Sequence, residues 1–100
     1  MFSSAAIFGM GLKAGSKALL GSSPIDENGD QSADYDKYSY HWELPSQVQA
    51  DSITNGNLNW QTVQVDVPDS TAGQSLTFKV TITSPDGAKS LSASQSYTVQ

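Results

Sequence analysis

The stretch SLTFKVTITSPDGAKSLSASQSYTVQ, residues 75–100, decides the fold. Leu76, Phe78, Val80 and Ile82 alternate with Thr77, Lys79, Thr81 and Thr83. Period-two alternation puts one set on a buried sheet face and the other in water. After a turn, Leu91, Ala93, Tyr97 and Val99 keep the same parity. The turn is Ser84-Pro85-Asp86-Gly87, where proline presets φ at the first corner and glycine accepts positive φ. The stretch predicts a β-hairpin whose inner face belongs to a two-sheet core. Residues committed to packing in this way leave little room for a catalytic site.

Outward from the hairpin, the Trp-bearing segment KYSYHWEL, residues 37–44, repeats the pattern. Tyr38, Tyr40, Trp42 and Leu44 share one face, and Lys37, Ser39, His41 and Glu43 share the other. A strand with an inward Trp is a common centrepiece of a β-sandwich. Residues 47–54 and 58–67 flank Asn55-Gly56, a strong hairpin corner. Residues 16–21 (SKALLG) read as a strand closed by Gly21-Ser22-Ser23-Pro24, and residues 3–8 as a first edge strand. A helix over 5–20 is the competing reading. Gly9, Gly11 and Gly15 argue against it, at about 1 kcal/mol each relative to alanine. The pattern predicts an all-β, immunoglobulin-like two-sheet sandwich of about seven strands. It divides the chain into residues 1–13, a leader or first edge strand, and a domain over 14–100.

Composition agrees with one small domain. The chain has 100 residues, of which 37% are hydrophobic and only 15% charged. Thr, Ser, Asn and Gln fill the polar surface, which favours pleated strands over helices. The formal net charge is −5, and all five cations are lysines. A nucleic-acid binder needs a basic stripe, ideally with arginine forks, so this class is set aside. Without cysteine there is neither a disulfide nor a thiolate nucleophile. The mildly apolar segment 5–20 is interrupted by Lys13 and Lys17 and is too short to span a bilayer. It has no basic n-region of a signal peptide. The chain reads as a monomeric module from within a longer secreted or cell-surface protein, with no membrane insertion.

Few residues offer chemistry. His41, the only histidine, has Ser39 and Glu43 on its own face. A triad needs its base held between nucleophile and carboxylate in a concave site, which a strand face does not supply. The expectation is a solvated strand histidine and no enzyme. The loop PIDENGDQSADYD, residues 24–36, offers Asp26, Asn28, Asp30, Asp34 and Asp36 as hard oxygen ligands, and calcium takes six to eight such oxygens. Its start, D-x-N-x-D, mimics an EF-hand. Gln31 stands where that loop needs glycine and Lys37 where it needs glutamate, so an EF-hand is excluded. Structural calcium on Asp26, Asn28, Asp30 and Asp34 and a plain solvated loop both remain open, with no other cofactor implied.

Trp60 is the candidate binding residue. Val63, Val65 and Val67 set an apolar register, and Trp60 falls in the opposite parity. A regular strand would place its indole outward, where a ring can stack on a sugar face. A bulge or a strand start nearby would turn it inward. Tyr35, in the acidic loop, would join Trp60 in a small aromatic patch.

The order of motifs resembles the PKD domain. An Ala14-Gly15-Ser16 start leads through Gly21-Ser22-Ser23 to Asp26-Glu27-Asn28-Gly29-Asp30, then to Tyr38-Ser39-Tyr40-His41-Trp42, and last to Phe78-Lys79-Val80-Thr81-Ile82-Thr83 with its Asp86-Gly87 turn. The likeness covers residues 14–99. It departs after the Trp strand, where Trp42-Glu43-Leu44-Pro45-Ser46 replaces the family's W-x-F-G-D-G run, so the chain resembles a divergent, REJ-like branch. The resemblance implies an immunoglobulin-like sandwich, and in some members calcium on the Asp-rich loop. It also implies a non-catalytic accessory module of a secreted bacterial protein such as a chitinase or protease. Such a module binds an insoluble polysaccharide or fibrous protein, for example chitin or collagen, or spaces neighbouring domains. A repeat unit of a bacterial adhesin or surface protein is the alternative.

Overall fold

The computed structural model describes residues 2–9, 11–50 and 58–100. Among the described residues seven strands run in chain order: β1 Phe2–Gly9, β2 Ser16–Asp26, β3 Ser39–Glu43, β4 Gln49–Ala50, β5 Thr62–Val67, β6 Ser75–Thr83 and β7 Ser90–Thr98. They form two antiparallel sheets, β1-β2-β5-β4 and β3-β6-β7. With the strands lettered A to G this is ABED on CFG, the strand order of a constant-type immunoglobulin sandwich. Among the described residues no helix is long and apolar enough to cross a membrane.

The core follows from alternation. Leu76, Phe78, Val80 and Ile82 of β6 are buried, as are Val63, Val65 and Val67 of β5, Tyr40 and Trp42 of β3, and Leu20 of β2. Burying one such side chain contributes roughly 1.5–3 kcal/mol. β7 is half-buried at Leu91, Ala93 and Tyr97. The Tyr97 ring meets Phe78 edge-on with centroids 6.1 Å apart. On the solvent face Thr77 pairs with Ser96 at 2.8 Å, Thr81 with Ser92 at 3.2 Å and Thr83 with Ser90 at 2.8 Å, all hydroxyl to hydroxyl. The turn between β6 and β7 closes around Asp86, whose carboxylate accepts from the Ser84 hydroxyl (2.6 Å) and the Ala88 N–H (3.0 Å).

β1 is an edge strand of the four-stranded sheet, paired with β2 from Phe2↔Asp26 to Gly9↔Leu20. The chain then changes sheets. Leu12 forms a parallel bridge with Val99, the Ala14 N–H donates to the Gln100 carbonyl (2.8 Å), and the Gln100 N–H donates to the Leu12 carbonyl (3.0 Å). Glycine matters at the crossing. A Cβ on Gly9 would lie 2.7 Å from the Tyr97 hydroxyl oxygen and 2.8 Å from Leu20 Cδ2, so only glycine lets Tyr97 reach this far between the sheets.

Several predicted boundaries are corrected. β2 does not close at Gly21-Ser22-Ser23-Pro24 but runs on to Asp26. Its pairing with β5 ends at Gly21↔Thr62, while β1 accompanies it to the end. Pro24 stands beyond the β5 pairing, opposite Ala5 of β1, and its carbonyl accepts the Ser32 N–H at 2.9 Å. Ser22 makes the handover, its N–H and its hydroxyl both donating to the Gln61 carbonyl (2.7 and 2.9 Å). The strand over 37–44 shortens to 39–43, with Tyr35–Lys37 in a 3-10 turn before it. The strand over 58–67 starts at Thr62, after a turn. Of the segment 47–54, Gln49–Ala50 is a strand. Residues 51–54 and the Asn55-Gly56 corner lie outside the described residues.

Candidate functional site

The site is built on the outer margin of β3. Residues 58–60 run beside that strand, where the Trp42 N–H donates to the Leu58 carbonyl at 2.8 Å. Trp42 is buried, so its indole N–H needs an acceptor. It finds one in the Trp60 carbonyl, at 2.8 Å. This bond fixes the Trp60 backbone against the core. The Trp60 ring is then braced by Tyr40, edge-on, with centroids 6.1 Å apart. Even so, 40% of Trp60 stays exposed.

Tyr40 links Trp60 to Tyr35. Its hydroxyl donates to the Tyr35 carbonyl at 2.5 Å, and Tyr35 is itself 37% exposed. Burial pushes the Tyr40 phenol up to about 12, with Tyr38, Asp36, Tyr35 and Asp34 adding to the shift. Two exposed aromatics from segments 25 residues apart are thus held by one buried tyrosine. Trp60 stands in the turn before β5, so strand parity does not decide its direction. The carbonyl bond to Trp42 and the ring contact with Tyr40 do.

His41 faces solvent on β3, as its parity predicts. Its Nδ1 lies 3.2 Å from Asn59 Oδ1, and Glu43 pairs with Lys79 at 3.7 Å. The histidine is therefore partnered by Asn59, not by Ser39 or Glu43. No local sequence signal joins His41 to Asn59, 18 residues away. The sequence reading also passed over Phe8 and Leu19, which are 54% and 56% exposed. With Gly9, Gly21 and Thr62 they line a shallow, mainly apolar depression of about 390 Å³ on the first sheet. The sequence clue was Leu19, opposite in parity to Leu20.

The acidic loop is organised around its own backbone. Asp26 Oδ1 accepts the N–H groups of Asn28 (2.9 Å) and Asp30 (3.0 Å), and the Asp26 N–H donates to the Asp30 carbonyl (2.8 Å). Gly29, at φ 84°, completes the turn, and Ile25 bridges Gln31 beyond it. Among the described residues, no three His, Cys, Asp or Glu side chains converge as a metal would require. Asp26, Asp30 and Asp34 are not brought together, and Asn28 enters only through its main chain.

No family model matches this chain, and no curated protein matches it. Among solved structures it is similar to a nucleoside hydrolase-related hypothetical protein from Saccharophagus degradans, described as associated with carbohydrate metabolism. The TM-score is 0.57 at 17% identity, over 99% of this chain. The chain spans 26% of that protein's length, and the likeness is one of fold.

Proposed function

We propose that this domain is a non-catalytic accessory module of a secreted or cell-surface protein, and that it binds the face of a polysaccharide through Trp60. The observation that carries this reading is the half-exposed indole, fixed at its carbonyl by Trp42 and at its ring by Tyr40. A flat ring with restricted motion stacks on a pyranose face at little entropic cost. Asn59, the residue before it, pairs with His41 at 3.2 Å and offers hydrogen-bonding groups, and Tyr35 is a second exposed aromatic ring. The fold's recurrence as one part of a larger chain suits an appended module. Its divergent resemblance to PKD domains points the same way.

One ring and a few polar groups make a small contact, so affinity in the micromolar to millimolar range is expected. Such binding gains its use by tethering, which raises effective concentration for a partner domain. The test is a pull-down of the domain on chitin, cellulose and collagen. Wild type should be retained on a polysaccharide, Trp60→Ala should be lost, and Tyr35→Ala should weaken retention severalfold. Equal retention of a folded Trp60→Ala protein removes the site. Failure of wild type on all three polymers favours a spacer or adhesin repeat.

A further inference from the structure

The charge of this chain is not spread evenly. Asp26, Glu27, Asp30, Asp34 and Asp36 against the single Lys37 give residues 24–37 a net charge of −4, out of −5 for the whole chain. The end of that segment is the part that reaches the aromatic residues. Tyr35–Lys37 form the 3-10 turn, and the Tyr35 carbonyl accepts the Tyr40 hydroxyl at 2.5 Å. Asp34 and Asp36 flank Tyr35, and their charges are felt at the Tyr40 phenol. Tyr40 in turn meets the Trp60 ring, with centroids 6.1 Å apart. One tyrosine thus joins two exposed rings, Tyr35 and Trp60, to two exposed carboxylates. The fold does not use these carboxylates. Asp26 and Asp86 accept the N–H groups of their own turns, and Glu43 pairs with Lys79. Asp34 stands at the N-cap of the 3-10 turn but makes no capping bond with its side chain. Among the described residues neither Asp34 nor Asp36 has an ion-pair partner.

We infer that the ligand of the Trp60 site is a polysaccharide of protonated amino sugars, such as a glucosamine polymer. This rests on the polysaccharide reading above and narrows it. The rings and the carboxylates select the same charge. The face of an exposed indole or phenol attracts an ammonium group. The two carboxylates attract it across about 10 Å at moderate salt, one Debye length, and repel an anionic polymer over the same range. A neutral sugar uses the rings alone. A polymer with an amine on every unit brings a cation to the carboxylates whichever unit stacks on Trp60, so binding needs no fixed register along the polymer.

Isothermal titration with hexamers of glucosamine, N-acetylglucosamine and glucose tests it, at about pH 5.5, above the ordinary carboxylate range. The first two ligands share their ring faces and differ in the acetyl group that removes the charge. Wild type should bind the amine hexamer about tenfold tighter than either neutral one, as two exposed charge pairs provide. That margin should shrink severalfold between about 0.01 M and about 1 M salt. The double variant Asp34→Asn, Asp36→Asn should bind all three alike, with an unchanged thermal melt showing that the fold is kept. Trp60→Ala should bind none. A neutral hexamer bound by wild type as tightly as the amine hexamer overturns the inference and leaves the polysaccharide reading standing. Binding of no sugar overturns both. Amine binding that survives Trp60→Ala or the double variant lies elsewhere on the acidic surface and overturns the site. A lysine hexamer bound as tightly as the glucosamine hexamer overturns the choice of a sugar.

Discussion

Trp42 does two things at once: it fills the space between the sheets, and its indole N–H holds the backbone of the exposed Trp60. Trp42→Ala should cost about 3–5 kcal/mol, as truncation of a buried aromatic does. That is most of the stability of a small domain, so the melting transition should fall steeply or vanish. Trp42→Phe separates the roles. It keeps much of the volume but leaves the Trp60 carbonyl without its donor, at a cost of about 1–3 kcal/mol beyond the change in packing. Trp60 is then the sole indole, and its fluorescence anisotropy should drop as its anchor is lost. Tyr40 gives a pH signature. Its phenol titrates near 10 unfolded and about 12 folded. Above pH 10 the unfolded chain releases a proton that the folded chain retains, so this contribution is whole below pH 10 and is lost as pH rises toward 12. Burial shifts Tyr97 in the same direction and adds to the loss. Denaturant midpoints between pH 9 and 12 should decline, and less steeply in Tyr40→Phe. At this scale the sequence was informative where alternation applied. Trp42 sits inside as its parity requires. Trp60 precedes its strand, and its surroundings depend on two residues 18 and 20 positions back, which no local pattern connects to it.

At the scale of elements, Gly9 marks where β1 must let Tyr97 pass. Gly9→Ala forces its new methyl against Tyr97 and Leu20, and overpacking of this kind costs about 1–3 kcal/mol. Gly21→Ala is the matched control in the neighbouring strand. Its nearest neighbour would be Thr62 Cγ2 at 3.8 Å, an ordinary contact. Thermal melts of the two variants should therefore differ, with Gly9→Ala lower. The β6–β7 hairpin was legible because alternation, turn residues and length all agreed. The far half of β2 was not. Gly21-Ser22-Ser23-Pro24 has the composition of a turn, yet it continues as strand because β5 has already ended and Ser22 bonds to Gln61. A tertiary handover of this kind overrides local propensity. In the acidic loop the alternating carboxylates read equally as a ligand set or as a solvated turn, and what no local pattern announced is that Asp26 caps the N–H groups of its own turn, as a short carboxylate readily does.

The whole molecule has one core between two sheets, and each sheet draws strands from distant parts of the chain. Neither sheet can bury its apolar face without the other. Unfolding should be a single cooperative step, with far-ultraviolet circular dichroism and tryptophan fluorescence giving coincident transitions. Two separated midpoints would show that the sheets melt independently. Folding should take milliseconds to seconds, since pairings such as β2 with β5 close long loops.

The crossing of the first segment from one sheet to the other has a mechanical consequence. β1 runs from its pairing with the far end of β2 toward Leu12, which lies parallel to the C-terminal residues Val99 and Gln100. Phe2 and Gln100 therefore sit toward opposite ends of a body 41 Å long. Tension applied between them acts along the strands. It loads the Ala14–Gln100 and Gln100–Leu12 hydrogen bonds in shear, so they must yield together and not one after another. Resistance to pulling is then set by a small patch of backbone pairing at the switch between sheets, and by the unfolding barrier it guards.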